Sequence, residues 1–313
     1  MLNVAQINGN YLTTSQFSKS WFDDFVKFVD ATEATIQTYK KALKQFSLYL
    51  SVEGITAPTR EDILTYRDLL KVEHKPATVQ LYIVALKQFF RWTSQEGLYS
   101  NIADHIKGAK ISRLHKRDSL TTNQVRHILK GMERTTEVDK RNYAIFTLMV
   151  TAGLRTIEVS RANVEDLRPL GDFTVLYIQG KGKDEKSDYV KITPEVEEAI
   201  RDYLASAGNR EPSEPLFTSV SNNSIGKRLS TRTLRGIIKK QFNDNGYSSD
   251  RLTAHSLRHT TATINLLNGG TLEETQQLLR HENISNTMIY SHHLKRINNN
   301  SEARVADTIF KSV

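Results

Sequence analysis

Apolar residues recur every three or four positions along most of the chain, which is the spacing of one face of an α-helix. Between Ser20 and Ala103 this spacing is sustained, and nothing alternates as a strand would. Thr59 and Asp62 have the spacing of a capping box, and Pro76 suits a first helical turn. We predict a bundle of about four helices, whose clearest apolar faces are Ile36, Tyr39, Leu43, Phe46 and Leu50, and Val79, Tyr82, Ile83, Leu86, Phe89 and Phe90.

The second half of the chain combines helical spacing with two short strand-like runs. Residues Tyr143–Val150 are almost all apolar and predict a buried helix. Phe173–Ile178 and Tyr189–Ile192 are rich in β-branched and aromatic residues, and the glycines between them favour a hairpin. This region therefore predicts a mostly helical domain with a small antiparallel sheet. Its further helices are expected at Pro194–Ala207, Ser230–Asn243, His255–Asn268 and Leu272–Arg280.

These changes of pattern divide the chain into five predicted segments. They are an N-terminal extension (1–19), a helical domain (20–106), a basic linker (107–117), a larger domain (118–297) and a tail (298–313). The extension can be a flexible arm or an added strand or helix. The linker is either a solvated connection or a basic tether along phosphates. The tail predicts a short helix that can pack on its own domain through an apolar stripe of Ala303, Val305, Ala306, Ile309 and Phe310.

Composition excludes several kinds of site, whereas the net charge fits more than one class of protein. Lys and Arg number 43 against 35 Asp and Glu, so the net charge is +8, which fits either a nucleic-acid partner or an ordinary lysine-rich protein. The absence of cysteine excludes disulfides, zinc–thiolate sites and a cysteine nucleophile. No signal peptide and no run of about 20 apolar residues is visible, so we expect a cytoplasmic protein without membrane contact.

Four separate segments carry residues suited to phosphate chemistry. Arg155 directly follows the apolar helix, its planar guanidinium suits a phosphate, and Glu158 one turn later can hold it. Lys181 lies between two glycines of the predicted hairpin, where the backbone can approach a ligand closely. His255 and Arg258 share a helix face, so that a proton carrier stands beside a phosphate ligand.

The fourth segment contains His281 and, after a short polar connection, Tyr290. A tyrosine hydroxyl with a pKa near 10 needs adjacent positive charge and a proton acceptor to attack at neutral pH. Each of the four segments alone also has an ordinary structural explanation: a helix ion pair, an exposed turn lysine, a capped helix start or a packed core tyrosine. A metal site at His281, His292 and His293 is disfavoured, because no cysteine or suitably spaced carboxylate pair accompanies them.

Taken together, the order and spacing of these residues resemble the catalytic signature of the tyrosine recombinase family, of the phage integrase and Xer type. The resemblance covers the whole second domain, with Arg280 where many relatives have glycine and Asn286 where threonine is frequent. It implies a helical core-binding (SAM-like) domain followed by a mixed α/β, mostly helical catalytic domain with a small sheet. It also implies that the two domains close around a DNA duplex as a clamp.

The resemblance also implies a role for each candidate catalytic residue. Tyr290 would attack a DNA phosphodiester to give a 3′-phosphotyrosyl link, with Lys181 protonating the 5′-oxygen. Arg155 and Arg258 would hold the non-bridging oxygens, and Glu158 would support the first of these arginines. His255 would act as acid and base toward the tyrosine, and His281 would donate a hydrogen bond to the phosphate. No metal, ATP or other cofactor is implied.

The implied partners are double-stranded DNA recombination sites, three further copies of the chain exchanging their tails, and in some systems an accessory DNA-binding factor. The expected function is site-specific recombination, for integration and excision of a mobile element or for resolution of DNA dimers. A type IB topoisomerase and a non-catalytic DNA-binding regulator are the alternatives. Basic side chains that suit DNA contacts, or equally a solvated surface, are Lys40, Lys41, Lys44, Lys87, Arg91, Arg232 and Arg235.

Overall fold

A computed structural model describes residues 3–7, 10–14, 19–111, 118–180, 182–290 and 299–310. The chain divides into two compact units, residues 1–114 and 115–313. Within the described residues it is mostly helical (59%) with a small three-stranded antiparallel sheet, which confirms the predicted fold class. No helix among the described residues is long and apolar enough to cross a membrane.

The first unit begins with a β-hairpin and continues as four helices. Strands β1 (Asn3–Ile7) and β2 (Asn10–Thr14) pair antiparallel. The helices are α1 (Lys19–Phe28), α2 (Glu33–Val52), α3 (Arg60–Glu73) and α4 (Pro76–Gln95). The four helices agree with the sequence pattern, and the N-terminal extension contains strands rather than a further helix.

Aromatic side chains fill the core of the helical unit. The ring centroids of Phe25 and Phe89 lie 5.5 Å apart and those of Phe46 and Tyr66 lie 5.1 Å apart, both in edge-on arrangements that aromatic pairs favour. The predicted capping box is present at the start of α3, where the Thr59 amide donates to the Asp62 carboxylate at 2.7 Å. The apolar spacing read from the sequence is thus the buried face of this bundle.

The second unit places a small sheet among helices. The elements before the sheet are α5 (Thr122–Gly131), α6 (Glu137–Ala152), α7 (Thr156–Arg161) and a 3-10 turn (Val164–Asp166). The sheet consists of β3 (Leu167–Leu170), β4 (Phe173–Ile178) and β5 (Asp188–Ile192). After it come α8 (Pro194–Ala207), α9 (Thr231–Asp244), α10 (Ala254–Leu267), α11 (Leu272–Leu279), helical residues 285–290 (α12) and α13 (Ser301–Phe310).

The sheet has the order β3-β4-β5, with both neighbouring pairs antiparallel. Strands β4 and β5 follow the two runs read from the sequence, whereas β3 was not predicted. Its four residues include Arg168 and Pro169, and only Leu167 is even partly buried, so no alternation marks it. Proline is tolerated there because β3 is an edge strand.

Helix α6 forms the centre of the second core and ends beside the candidate active site. Residues 144–150 are all buried, which explains why the sequence shows no polar face there. The helix ends at Gly153, whose φ of 59° is left-handed. A side chain there would also collide, because a Cβ would lie 2.7 Å from the Leu279 side chain. The glycine thus lets the chain before Arg155 approach the end of α11.

Candidate active site

Arg155 and Glu158 form the ion pair expected from the sequence. Arg155 is the N-cap residue of α7, and its backbone amide donates to Glu158 Oε2 at 2.8 Å. The Arg155 Nη1 donates to Glu158 Oε1 at 2.7 Å. The Glu158 side chain is 1% exposed, whereas that of Arg155 is 30% exposed. The carboxylate is therefore buried as a support, and the guanidinium remains accessible to a ligand.

Arg258 is almost fully buried and is held by backbone carbonyls. Its Nη1 donates to the Gly153 carbonyl at 2.7 Å, and its Nη2 donates to the Leu279 carbonyl. Burial, together with the positive charges of Arg155 and Arg280, lowers the pKa of Arg258 to about 9. The group stays a cation at neutral pH, and it joins the end of α6 to the end of α11.

Arg280 enters the same cluster, although the sequence analysis gave it no role. Its Nη2 donates to Glu158 Oε2 at 3.1 Å, so the buried carboxylate binds two arginines. Burial by itself raises the pKa of Glu158, but the charges of Arg280 and Arg155 outweigh it and hold the pKa below its usual value. Glu158 is thus an anion at neutral pH.

His281 directly follows this arginine and faces a cationic environment. Its Nδ1 lies 2.8 Å from the hydroxyl of Thr287, which is fully buried. Partial burial and the charges of Arg258, Arg155 and Arg280, with a smaller contribution from His255, lower the pKa of His281 to about 4. The imidazole is therefore neutral at pH 7, and it can donate only one N–H bond.

Tyr290 is joined to the histidine face of α10 by ring contacts. Its ring centroid lies 5.2 Å from that of His259, and the His259 centroid lies 4.7 Å from that of His255. Tyr290 is 7% exposed and packs in a small apolar cluster with Ala262 and Leu279. His259 thus contacts both the candidate base and the candidate nucleophile. The sequence carries a signal for this contact, because His259 follows His255 by one helical turn.

Lys181 lies outside the described residues, but the backbone on both sides of it is described. The Gly180 carbonyl accepts a hydrogen bond from Arg161 Nη1 at 3.0 Å. The loop that follows is tied down by Lys186, whose Nζ lies 2.6 Å from the buried carboxylate of Asp166. The loop between β4 and β5 is therefore anchored on both sides of the candidate general acid.

A polar cleft of the second unit is lined by Arg155, Glu158, Arg280 and His281, whereas Arg258, His255 and Tyr290 are not among its lining residues. At its rim, Lys183 and Asp188 pair with each other at 3.7 Å. The guanidinium groups of Arg155 and Arg280 meet at the buried carboxylate of Glu158. The Arg258 cation, bound to the backbone of Gly153 and Leu279, lies close enough for its pKa to be affected by both arginines. Such a concentration of positive charge suits binding of a phosphate group. The lining of the cleft includes Arg155, Glu158, Gly180, Arg280, His281 and Glu282.

The candidate DNA-binding residues are all on helices, and their role stays a prediction. Lys40, Lys41 and Lys44 are exposed on α2, and on α4 Arg91 is exposed and Lys87 half-buried. Arg232 and Arg235 are exposed on α9 and do not line the cleft. His292, His293 and residues 112–117 of the predicted linker lie outside the described residues.

Comparisons with known proteins agree with this arrangement. The phage integrase family model matches residues 118–296, more than half of the chain, and the model of its N-terminal SAM-like domain matches residues 20–99. A tyrosine recombinase of Synechococcus elongatus is 30% identical over 60% of this chain and 58% of its own length.

Two further similarities extend over most of the chain. The tyrosine recombinase XerC of Thermodesulfovibrio yellowstonii is 28% identical over 90% of this chain and 93% of its own length. The crystal structure of the XerH site-specific recombinase bound to palindromic difH substrate superimposes with a TM-score of 0.71 at 21% identity, covering 90% of this chain and 84% of that one. The chain therefore belongs to the phage integrase family and is a tyrosine recombinase.

Proposed function

We propose that this chain is a site-specific DNA recombinase that cuts and rejoins strands through Tyr290. The supporting observation is the polar cleft, which brings Arg155 and His281 together from distant parts of the sequence, while Arg258 is bound to the carbonyl of Gly153, two residues before Arg155. Tyr290 lies on the same unit, and the ring of His259 is in contact with the rings of both Tyr290 and His255. Phosphoryl transfer requires a phosphate-binding site, a nucleophile and a group that moves protons, and these residues can supply all three.

The proposed cleavage step exchanges one phosphoester for another. The Tyr290 hydroxyl oxygen attacks the phosphorus, a tyrosine O–P bond forms, and the bond from phosphorus to the 5′-oxygen breaks. His255 takes the tyrosine proton, and Lys181 gives a proton to the leaving 5′-oxygen. The 5′-hydroxyl of a second DNA end attacks the phosphotyrosine and reverses the step. The number of phosphoester bonds stays constant throughout, so neither ATP nor a metal ion is needed.

Arg155 and Arg258 act on the phosphate rather than on protons. Charge accumulates on the non-bridging oxygens in the pentavalent transition state, and fixed cations stabilise it most when they need no rearrangement. Arg258 meets this condition because it donates hydrogen bonds to two backbone carbonyls. Arg155 meets it because its guanidinium is paired with the Glu158 carboxylate. His281 adds a neutral hydrogen-bond donor to the same oxygens.

Two rounds of this exchange, with a Holliday junction between them, would recombine two DNA sites within a tetramer. The tail supports the assembly, since no residue of α13 is buried and Val305, Ile309 and Phe310 are 58%, 56% and 75% exposed. Such a face fits a site on a neighbouring copy. Integration or excision of a mobile element and resolution of DNA dimers both use this reaction, and the gene's neighbourhood would separate them.

Covalent capture from a random pool tests the proposal and finds the target sequence at the same time. The protein is incubated with nicked duplexes of random sequence in the presence of a chelator, and adducts that survive denaturation are isolated and sequenced. We expect the wild-type chain to yield adducts enriched in one sequence, and Tyr290→Phe to yield none above background. The phenylalanine keeps the buried ring, so the fold is retained. An undiminished adduct in Tyr290→Phe would refute the nucleophile assignment.

The same reagents separate the two alternatives. A type IB topoisomerase would relax a supercoiled plasmid that lacks the captured sequence, whereas a recombinase acts only where its site is present. A non-catalytic regulator would retard the duplex in a gel and form no adduct. Either result would replace the recombinase assignment.

A further inference from the structure

Arg280 stands in a backbone conformation that does not suit an arginine. It is the C-cap residue of α11, with φ of 53° and ψ of 51°. Only one other described non-glycine residue, His105, has a positive φ. Helices that end in this left-handed conformation generally carry glycine there, because a Cβ is strained. Backbone strain of this kind costs folding free energy, and strained residues cluster at functional sites.

The side chain of Arg280 turns inward and is fixed on several sides. It is 8% exposed. Its Nη1 donates to the Leu278 carbonyl at 2.7 Å and to the Ala152 carbonyl at 3.3 Å, and its Nη2 donates to Glu158 Oε2 at 3.1 Å. Its buried Nε has no hydrogen-bond partner within the described structure. The guanidinium therefore stays in the cleft wall although one of its donors is unsatisfied.

The consequence concerns the charge that Arg155 presents to a ligand. Glu158 holds Arg155 through both its side chain and its backbone amide, but the same carboxylate would also neutralise it. Arg280 binds the second carboxylate oxygen and offsets this negative charge. Two guanidinium groups, those of Arg155 and Arg280, then bind the Glu158 carboxylate, whereas a glycine at position 280 would leave one. The cleft keeps a larger positive charge with Arg155 still oriented.

This arrangement has two costs, the strained backbone of Arg280 and the repulsion between buried cations. A buried guanidinium beside two others is repelled, and the positive charge of Arg280 lowers the pKa of both Arg258 and His281. Glycine would relieve both the backbone strain and the repulsion. We propose that Arg280 is a positioning residue of the phosphate site, which fixes Glu158 beside Arg155 and offsets its negative charge, so that Arg155 presents its positive charge to the scissile phosphate. This inference rests on the proposed recombinase function.

Three substitutions separate charge from packing. The rate constant of adduct formation is measured at saturating DNA, on the duplex captured by the wild-type chain, for Arg280→Gly, Arg280→Gln and Arg280→Lys. We expect the glycine and glutamine variants to react about 10- to 100-fold more slowly. Arg280→Lys keeps the charge and should stay within a few-fold of wild type. Affinity for the duplex, from gel retardation, should change much less than the rate.

Two controls keep the outcome unambiguous. Thermal unfolding should show all three variants to be folded at the assay temperature, although loss of the buried pair with Glu158 lowers the stability of the glycine and glutamine variants. His105→Gly makes the same backbone change at an exposed residue of the first unit and should leave the rate unchanged. Equal rates for wild type and Arg280→Gln, or equal losses for the lysine and glutamine variants, would overturn the inference. Failure of the wild-type chain to form any adduct would instead contradict the proposed function.

Discussion

At the scale of single residues, the hydrogen bond between His281 and Thr287 determines which ring nitrogen of the histidine can donate to a phosphate. The cationic surroundings lower the pKa of His281 to about 4, so one ring nitrogen carries a proton at pH 7. If the Thr287 hydroxyl donates to Nδ1 across 2.8 Å, the proton stays on Nε2, which is then the donor to a ligand. Thr287 has the right chemistry for this, because a hydroxyl rotates to suit its partner.

We therefore expect Thr287→Val to slow adduct formation by about tenfold, because the ring loses its orienting partner. Valine has nearly the shape of threonine, and the site is fully buried, so packing is kept. Thr287→Ser, which keeps the hydroxyl, should retain most of the rate. The 15N chemical shifts of the His281 ring report the tautomer directly. A proton found on Nδ1 of the wild-type protein would contradict the assignment.

Local spacing made several of these residues predictable. Arg155 and Glu158 lie three positions apart at a helix start, and the ion pair follows from that distance alone. Arg280 could not be assigned in the same way, because its partner Glu158 is 122 positions away and the contact depends on how α11 ends. Its only signal in the sequence is an arginine where many relatives have glycine. Lys181 was predicted from its glycine neighbours and lies outside the described residues.

At the scale of secondary structure elements, the loop between β4 and β5 is anchored by described residues on both sides of Lys181. Asp166 anchors it, because this buried carboxylate accepts from the Asn163 amide and from Lys186 Nζ, each at 2.6 Å. The Gln179 side chain also donates to the Lys183 carbonyl at 2.8 Å and closes the loop on itself. A general acid must be held within hydrogen-bond reach of the leaving oxygen, so this anchoring has a direct chemical consequence.

Lys186→Met breaks the anchor and should slow cleavage of ordinary DNA by about tenfold. A duplex with sulfur in place of the scissile 5′-oxygen needs no proton to release its leaving group, so the variant should cleave it at nearly the wild-type rate. Lys191→Met, at an exposed position on strand β5 of the same hairpin, is the matched control and should behave as wild type on both duplexes. Equal slowing on both duplexes would show that Lys186 does not act through the general acid.

Elements differ in how far the sequence determines them. Helices α2 and α4 were predictable because a single buried face repeats over about five turns. Strand β3 was not, since as an edge strand it buries almost nothing and its pairing with β4 is the main reason for its conformation. The pairing of β1 with β2 likewise depends on contacts between strands, which a weakly patterned extension does not reveal.

At the scale of the whole molecule, the net charge of +8 is modest, and its distribution says more than its size. Part of it is concentrated near the cleft, where Arg155 and Arg280 bind one buried carboxylate and the Arg258 cation lies close by. Other cations are spread over exposed helix faces in both units. Such a distribution separates binding along the DNA backbone, which many charges share, from chemistry at a single phosphate.

Assembly is a further property of the whole molecule, and we expect it to depend on α13. Its apolar residues Val305, Ile309 and Phe310 are exposed, and burying them against a neighbouring copy would stabilise a tetramer on DNA. Replacing all three by serine should leave adduct formation on a single duplex within a few-fold of wild type, while abolishing the larger complex with two duplexes and the recombinant product. Native gel electrophoresis and a product assay measure both effects.

The polar side of the same helix provides the matched control. Arg304 is exposed on α13, and Arg304→Ala should preserve both the larger complex and the recombinant product. If α13 instead packs on its own domain when DNA is bound, the triple serine variant would lower the thermal unfolding temperature and still form the larger complex. A complex that survives removal of residues 301–313 would exclude exchange of the tail between copies, because no part of α13 would remain to join them.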